Sequence, residues 1–167
     1  MTDDERFMRE AIRQAKKAAS LGEVPVGCVI VRDGRIVARG YNRRETDKNA
    51  LAHAELRAID RACKRLGGWR LWQCELYVTL EPCLMCAGAI VNARLRRVVY
   101  GAPDVKTGAI GGRFSIQRAE GQYQPEITGG VCADECAALL KTFFASLRAR
   151  KSRGGQGQDA PAETAAR

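Results

Sequence analysis

The stretch Glu75-Leu76-Tyr77-Val78-Thr79-Leu80-Glu81-Pro82-Cys83-Leu84-Met85-Cys86-Ala87-Gly88-Ala89 passes from one kind of secondary structure to another. Glu75 to Leu80 is rich in apolar, aromatic and β-branched residues and predicts a short strand. Pro82 suits the start of a helix, where its missing N–H would have no intrahelical partner anyway. The helix is expected to run to about Arg94. Cys83 and Cys86 are three residues apart, so on that helix they share a face and could grip one ion. Both fall in the first turn, where the positive end of the helix dipole favours thiolate.

The same alternation extends in both directions. Upstream, Thr2-Asp3-Asp4-Glu5 reads as a capping box. Met8, Ile12, Ala15 and Ala19 then recur at helical spacing until Gly22 stops the helix. Val24 to Val31 is a continuous apolar run and predicts a strand covered on both faces. Asp33-Gly34 is a two-residue hairpin signal, with Arg35 to Tyr41 as the returning strand. Leu56, Ile59, Cys63 and Leu66 form a second helical stripe closed by Gly67-Gly68.

Downstream, Arg97 to Gly101 predicts a strand, and the glycine-rich segment Gly108 to Gly121 a loop. Glu126 to Thr128 predicts a last short strand. A final helix is expected over Cys132 to Arg150 with Cys136, Leu140, Phe143 and Leu147 as its apolar face. Lys151 to Arg167 has no apolar periodicity and is expected to be a disordered tail of basic and polar residues. The domain is thus expected over residues 1–150 and the tail over 151–167. Alternating helices and strands place the chain in the α/β class, with helices on both faces of one sheet.

Composition bounds the function. The 167 residues suit one domain. With 28 Lys+Arg against 19 Asp+Glu the formal charge is +9, of which +6 lies in 1–147 and +3 in 148–167. A small protein this basic suits a polyanionic partner, although solvated surface charge alone would give the same count. The longest uncharged run, Pro82 to Ala93, has 12 residues, too few for a spanning helix, which needs about 20. The N-terminus is acidic and has no secretory apolar region. Seven cysteines, an odd number, together with no secretory signal point to a reducing cytoplasm and to free, catalytic or metal-bound thiols.

The single histidine, His53, lies in His53-Ala54-Glu55 at a predicted helix start. Taken singly, each feature has an ordinary explanation. A lone Cys-x-x-Cys is often a structural corner or a redox pair, a lone His is often a hydrogen-bonded core or surface residue, and a Glu in a first turn often only complements the dipole. Together they form the His-x-Glu and Pro-Cys-x-x-Cys pattern of zinc nucleobase deaminases. Three protein ligands, His53, Cys83 and Cys86, leave a fourth zinc position for water, whose pKa the metal lowers to about 7. Glu55 is not itself a ligand and suits the proton shuttle that carries protons to the ring nitrogen and the departing amine. The alternative is a closed structural site with a fourth thiolate from Cys28, Cys63, Cys74, Cys132 or Cys136.

Six segments make the chain resemble the bacterial tRNA-specific adenosine deaminases over about residues 3 to 150. They are Gly22-Glu23-Val24-Pro25-Val26-Gly27-Cys28-Val29, Ala52-His53-Ala54-Glu55, Leu76 to Ala89, Val98-Val99-Tyr100-Gly101-Ala102, Lys106-Thr107-Gly108-Ala109 and Ala133 to Leu140. The zinc motifs are shared with cytosine and guanine deaminases. Asp104 to Ala109 and the C-terminal helix with Phe143-Phe144 resemble the tRNA branch.

The resemblance implies a three-layer α/β/α sandwich with a mixed five-stranded sheet, the cytidine deaminase-like fold. It implies one Zn2+ per subunit, a homodimer, and the anticodon stem-loop of tRNA as partner, with no membrane. The activity it implies is hydrolysis of adenosine to inosine at the wobble position, on an arginine tRNA with an ACG anticodon. It assigns base binding to Asn42, RNA contacts to Asp104 and Lys106, and an aromatic contact near the anticodon to Phe144. Read alone, Asn42 is a turn residue and Lys106 a solvated loop charge. Phe144 lies off the apolar stripe, either on an exposed stacking face or packed against its own subunit or the dimer partner. Gln122-Tyr123-Gln124 stands where the family carries an Asn-His pair, so RNA contacts there differ. The competing readings are a deaminase of free guanine, cytosine or a nucleoside, and a non-catalytic zinc-stabilised RNA-binding subunit.

Overall fold

The central strands are buried on both faces, with successive side chains pointing to opposite sides, and this sets up three layers. In the computed structural model, which describes residues 1–116 and 121–154, the elements follow in the order α1 (Asp3–Ser20), β1 (Gly27–Arg32), β2 (Arg35–Tyr41), α2 (Ala54–Leu66), β3 (Cys74–Leu80), α3 (Leu84–Asn92), β4 (Arg97–Ala102), β5 (Glu126–Gly129) and α4 (Ala133–Gly154). The strands form one mixed sheet in the order β2-β1-β3-β4-β5. β1 is antiparallel to both neighbours, while β3, β4 and β5 run parallel. Cys28, Ile30, Leu76, Val78 and Val98 face α2 and α3, packing on Ala54, Ala58, Ala62, Ala87 and Ile90. Val29, Val31, Tyr77 and Val99 face the other way, onto Phe7, Met8, Ala11, Ile12 and Cys136 of α1 and α4. Each fully buried side chain of this size contributes about 1.5–3 kcal/mol, so the two-sided sheet is the main source of stability.

Local signals in the sequence are met by local structure. Thr2 and Glu5 close the capping box reciprocally. Asp33 and Gly34 take the two positive φ values that a tight hairpin turn demands. The strand expected from Val24 begins only at Gly27, because Val24 to Val26 leave the sheet and wall a pocket described below.

Helix faces differ more. In α1 the last buried residue is Ala18, whereas Ala19 of the expected stripe is exposed. In α2 the stripe Leu56, Ile59, Cys63 and Leu66 is only half-buried, and the helix meets the sheet through Ala54, Ala58 and Ala62. These small residues allow a close approach. A Cβ on Gly40 of β2 would lie 2.2 Å from the Ala54 carbonyl oxygen and 2.8 Å from the Ala58 nitrogen.

Pro82 precedes α3 instead of opening it, since Cys83 is the N-cap and Leu84 the first helical residue. In α4 only Cys136 of the expected stripe is buried, and from Lys141 to Gly154 every residue is exposed except half-buried Phe143. Periodicity marks an apolar face but not the length over which the sheet lies beneath it. α4 also continues through Lys151–Gly154, so the first four residues assigned to the disordered tail are helical. The rest of that tail, 155–167, lies outside the described residues.

One polar network ties the layers together at the amino ends of the parallel strands. Arg97 grips Asp4 of α1 through two parallel bonds of 2.8 Å and donates to Thr128 of β5 at 2.9 Å. The Tyr77 hydroxyl lies 2.9 Å from both Asp4 and Glu75. The Arg97 bonds hold the Asp4 carboxyl below its ordinary range against the opposing effect of burial. Such a group stabilises the fold fully above its unfolded value of about 3.9, and the contribution disappears as pH falls through the lower folded value. Asp4→Asn should therefore cost about 1–3 kcal/mol at pH 7 and progressively less below pH 4. Urea melts of both proteins at pH 7 and pH 3 check this, and an equal gap at both values would refute it.

Candidate metal centre and substrate pocket

The direction of the strands decides where the chemistry lies. β2 and β3 are both antiparallel to β1, so their carboxyl ends emerge at the same edge of the sheet. α2 and α3 begin there, and so their amino termini converge. His53 is the N-cap of α2 and Cys83 the N-cap of α3. Both have extended backbones, and neither side chain caps its own helix. Freed from capping, they meet each other. Nδ1 of His53 lies 3.8 Å from the Cys83 sulfur and 3.5 Å from the Cys86 sulfur.

These three donor atoms all lie within 4.8 Å of one another, and none of the other five cysteines joins them. A tetrahedral zinc with sulfur at about 2.3 Å and nitrogen at about 2.0 Å holds such donors about 3.6 Å apart. The arrangement fits zinc with three protein ligands and an open fourth position, not a closed four-thiolate site. The thiols are also electrostatically divided. The hydrogen bond with Cys86, aided by His53, lowers the Cys83 thiol to about 4, whereas that bond and burial push Cys86 up. The Cys83 contact in turn raises His53. Glu55, in the first turn of α2, is buried, and burial pushes its carboxyl up.

A pocket of about 140 Å³ opens beside these residues, lined by Val24, Val26, Asn42, Arg44, His53, Ala54, Glu55, Leu80, Glu81, Cys83, Asp104 and Thr107. Asn42 is buried and spans two walls. Its Nδ2 donates to the Val24 carbonyl at 3.2 Å, and its Oδ1 accepts from the Arg44 N–H at 3.2 Å. Asp104 lines the pocket, but its carboxylate is engaged within its own loop, accepting from the Lys106 and Thr107 N–H groups and from the Thr107 hydroxyl.

Lys106 is exposed and outside this lining. Phe144 is also outside it, 41% exposed and edge-on to Phe143 with ring centroids 5.4 Å apart. The structure thus gathers His53, Glu55, Cys83, Asn42 and Asp104 at one pocket, with Cys86 buried against His53, and leaves Lys106 and Phe144 on the surface. In the departing loop, the Tyr123 ring lies 5.6 Å from the Arg94 guanidinium. Arg44, Thr107 and Glu81 carried no role in the sequence. For Glu81, the signal was an acid at the end of an apolar strand directly before Pro82.

Comparison with known proteins agrees with this geometry. Residues 1–102 match the cytidine and deoxycytidylate deaminase zinc-binding region. A tRNA-specific adenosine deaminase of Bacillus subtilis (strain 168) is 51% identical over 152 residues, spanning 90% of this chain and 94% of that protein. A solved structure from biochemical and structural studies of A-to-I editing by tRNA:A34 deaminases at the wobble position superposes with a TM-score of 0.78. It is 43% identical, with 81% of this chain and 99% of that chain covered. A guanine deaminase from Bacillus subtilis shares 44% identity with a TM-score of 0.57, over 59% of this chain and 64% of its own. With a zinc-binding deaminase model over residues 1–102 and 51% identity across 90% of its length to a tRNA-specific adenosine deaminase, this chain belongs to the zinc-dependent tRNA-specific adenosine deaminases.

Proposed function

We propose that the protein converts adenosine to inosine at the wobble position of tRNA, taking up one water and releasing one ammonia. An arginine acceptor with an ACG anticodon is the proposed substrate. The observation that carries the reading is a buried carboxyl, Glu55, beside the His53-Cys83-Cys86 cluster in a pocket of nucleobase size.

His53, Cys83 and Cys86 would hold one zinc, which when bound supplies the Lewis acidity that makes hydroxide available at neutral pH. Glu55 takes one proton from the attacking water and delivers it to the ring nitrogen, then takes the proton of the newly added hydroxyl and passes it to the amine as it leaves. Burial raises its carboxyl and so favours this two-way exchange. Asn42 presents its amide at the pocket wall to orient the base, and Asp104 shapes the adjoining loop. Lys106, Phe144 and the basic residues beyond it bind the flanking RNA, with the segment from Lys151 as a basic extension of the domain.

We further read the protein as a cytoplasmic homodimer. The seven free cysteines suit the compartment. The half-buried α2 stripe and exposed Trp69, beside a groove formed with Ala89 of α3 and Ala93 just after it, suit a second copy. Among the described residues no helix is long and apolar enough to cross a membrane.

Purified protein should carry about one zinc per chain, and Cys83→Ala or Cys86→Ala should lose it. Cobalt substitution followed by absorption spectroscopy checks the donor set; a four-thiolate spectrum would overturn the open site.

Glu55→Ala should retain zinc and tRNA affinity while turnover drops by about 10²–10⁴-fold. Single-turnover assays on the anticodon stem-loop, with free guanine, cytosine and nucleosides run in parallel, measure this. Residual activity within tenfold would exclude Glu55 as shuttle. Preference for a free base would move the protein to the chemistry of its guanine deaminase relative.

Affinity for the stem-loop should weaken with salt, log K falling by about 0.7 per contacted phosphate, and truncation before Arg148 should flatten that slope. Phe144→Ala should cost about 1–3 kcal/mol of binding if the ring stacks on a base. Light scattering on the same variant should still report a dimer. A salt-independent affinity, or a monomer with normal affinity, would contradict this surface.

A further inference from the structure

Glu81 lies between the last residue of β3 and Pro82-Cys83, and its side chain is 2% exposed. Its two oxygens receive backbone N–H groups from a loop more than twenty residues away in sequence. Oε2 accepts from Asp104 at 3.0 Å, and Oε1 accepts from Ile110 at 3.3 Å and Gly112 at 2.7 Å. Backbone bonds flank this contact on both sides. The Glu81 N–H donates to the Ala102 carbonyl at 2.9 Å, and the Ala109 N–H donates to the Pro82 carbonyl at 2.9 Å. A buried carboxyl is costly unless hydrogen-bonded, and bonds to a charged acceptor are the strong kind.

The loop backbone rests directly on the carboxylate. A Cβ on Gly112 would lie 2.7 Å from Oε2 and 2.8 Å from Oε1, and one on Gly108 would lie 2.4 Å from Oε2. Gly112 does not have a positive φ, so what keeps a side chain out is contact with Glu81 and the Asp104 carbonyl, not backbone conformation. The same loop carries Asp104 and Thr107 into the pocket wall. Asp104 uses its carboxylate to fold the loop on itself, which leaves Glu81 to attach the folded loop to the metal-bearing turn.

We propose that Glu81 is a positioning residue: it clamps the Asp104–Gly112 loop against the Pro82-Cys83 turn and so sets how tightly the pocket holds its substrate, without taking part in the chemical step. The substrate part of this inference rests on the tRNA reading above, while the clamp itself does not. Glu81→Gln preserves shape but turns an NH2 group toward at least one loop N–H, where donor meets donor. The loop should then loosen while Cys83 stays in place.

The test uses the full-length, zinc-loaded enzyme and an adenosine-containing anticodon stem-loop. In Glu81→Gln, KM should rise about tenfold with kcat within about threefold, the mark of lost ground-state and transition-state binding alike. Zinc content should be unchanged, and hydrogen exchange at the Asp104, Ile110 and Gly112 amides should accelerate. Gly112→Ala pushes on the clamp from the loop side, away from the metal, and should reproduce the KM rise. The double variant should be no worse than the worse single.

Wild-type KM and wild-type exchange in either variant would overturn the clamp. So would additive effects in the double variant, or loss of zinc and kcat together with KM unchanged. If the wild-type enzyme leaves the stem-loop untouched, the functional reading fails, and the exchange measurements alone then decide the clamp.

Discussion

The site depends on the common direction of β2 and β3. Because β1 runs against both, their carboxyl ends open at one edge, and the helices that follow present their amino termini to each other. Each terminus carries roughly half a positive charge, so two of them repel a bare dication. Two thiolates offset that field and match the charge of zinc. What remains of the dipole field still favours negative charge developing on an oxygen in the pocket. The electrostatics thus explains why this edge suits a thiolate-rich site and an attacking oxyanion, and why a neutral or cationic donor set would fit it poorly.

The same edge must hold irregular chain, and it does so with acidic side chains. Glu23, 1% exposed, accepts from the Thr46 N–H at 2.6 Å and from its hydroxyl at 2.7 Å. Asp47 takes Arg43 and Arg57, both at 2.8 Å, across the same loop. Glu81 performs the corresponding task for the loop on the other side of the pocket. Loop backbone lacks the regular ladder that satisfies N–H groups in helices and strands, and a carboxylate can accept several at once. These acids contribute little to the fold's identity. They give the loops one conformation, which a pocket must have if it is to orient a base.

The opposite edge is where the layers are joined. Arg97 draws α1, β4 and β5 into one polar cluster, with Tyr77 supplying the link to β3. Separating the cross-layer tie from the reactive cluster means that charges at one end need not perturb protonation at the other. The close seating of α2 on β2, permitted by Gly40 and the alanine face, completes the frame by fixing the height at which His53 and Glu55 stand over the sheet.

Much of this was legible in the residues. The apolar runs, the hairpin at Asp33-Gly34, the capping box at Thr2 and the strand-to-helix passage at Leu80-Cys83 are local, and short-range sterics and hydrogen bonding decide them. So the sequence by itself determined the order of elements, the α/β class and, through His-x-Glu with Cys-x-x-Cys, the three residues able to hold a metal. It could not determine which face of a helix meets the sheet. In α2 the larger residues lie to the side and the alanines underneath, and in α4 the apolar stripe outruns its support. Nor could it show that Glu81 serves a loop beginning at Asp104, that Val24 leaves the sheet to wall a pocket, or that Asp104 turns its carboxylate inward. Those facts depend on which distant segments come together, and distance along the chain carries no information about that until strand order and direction have been set.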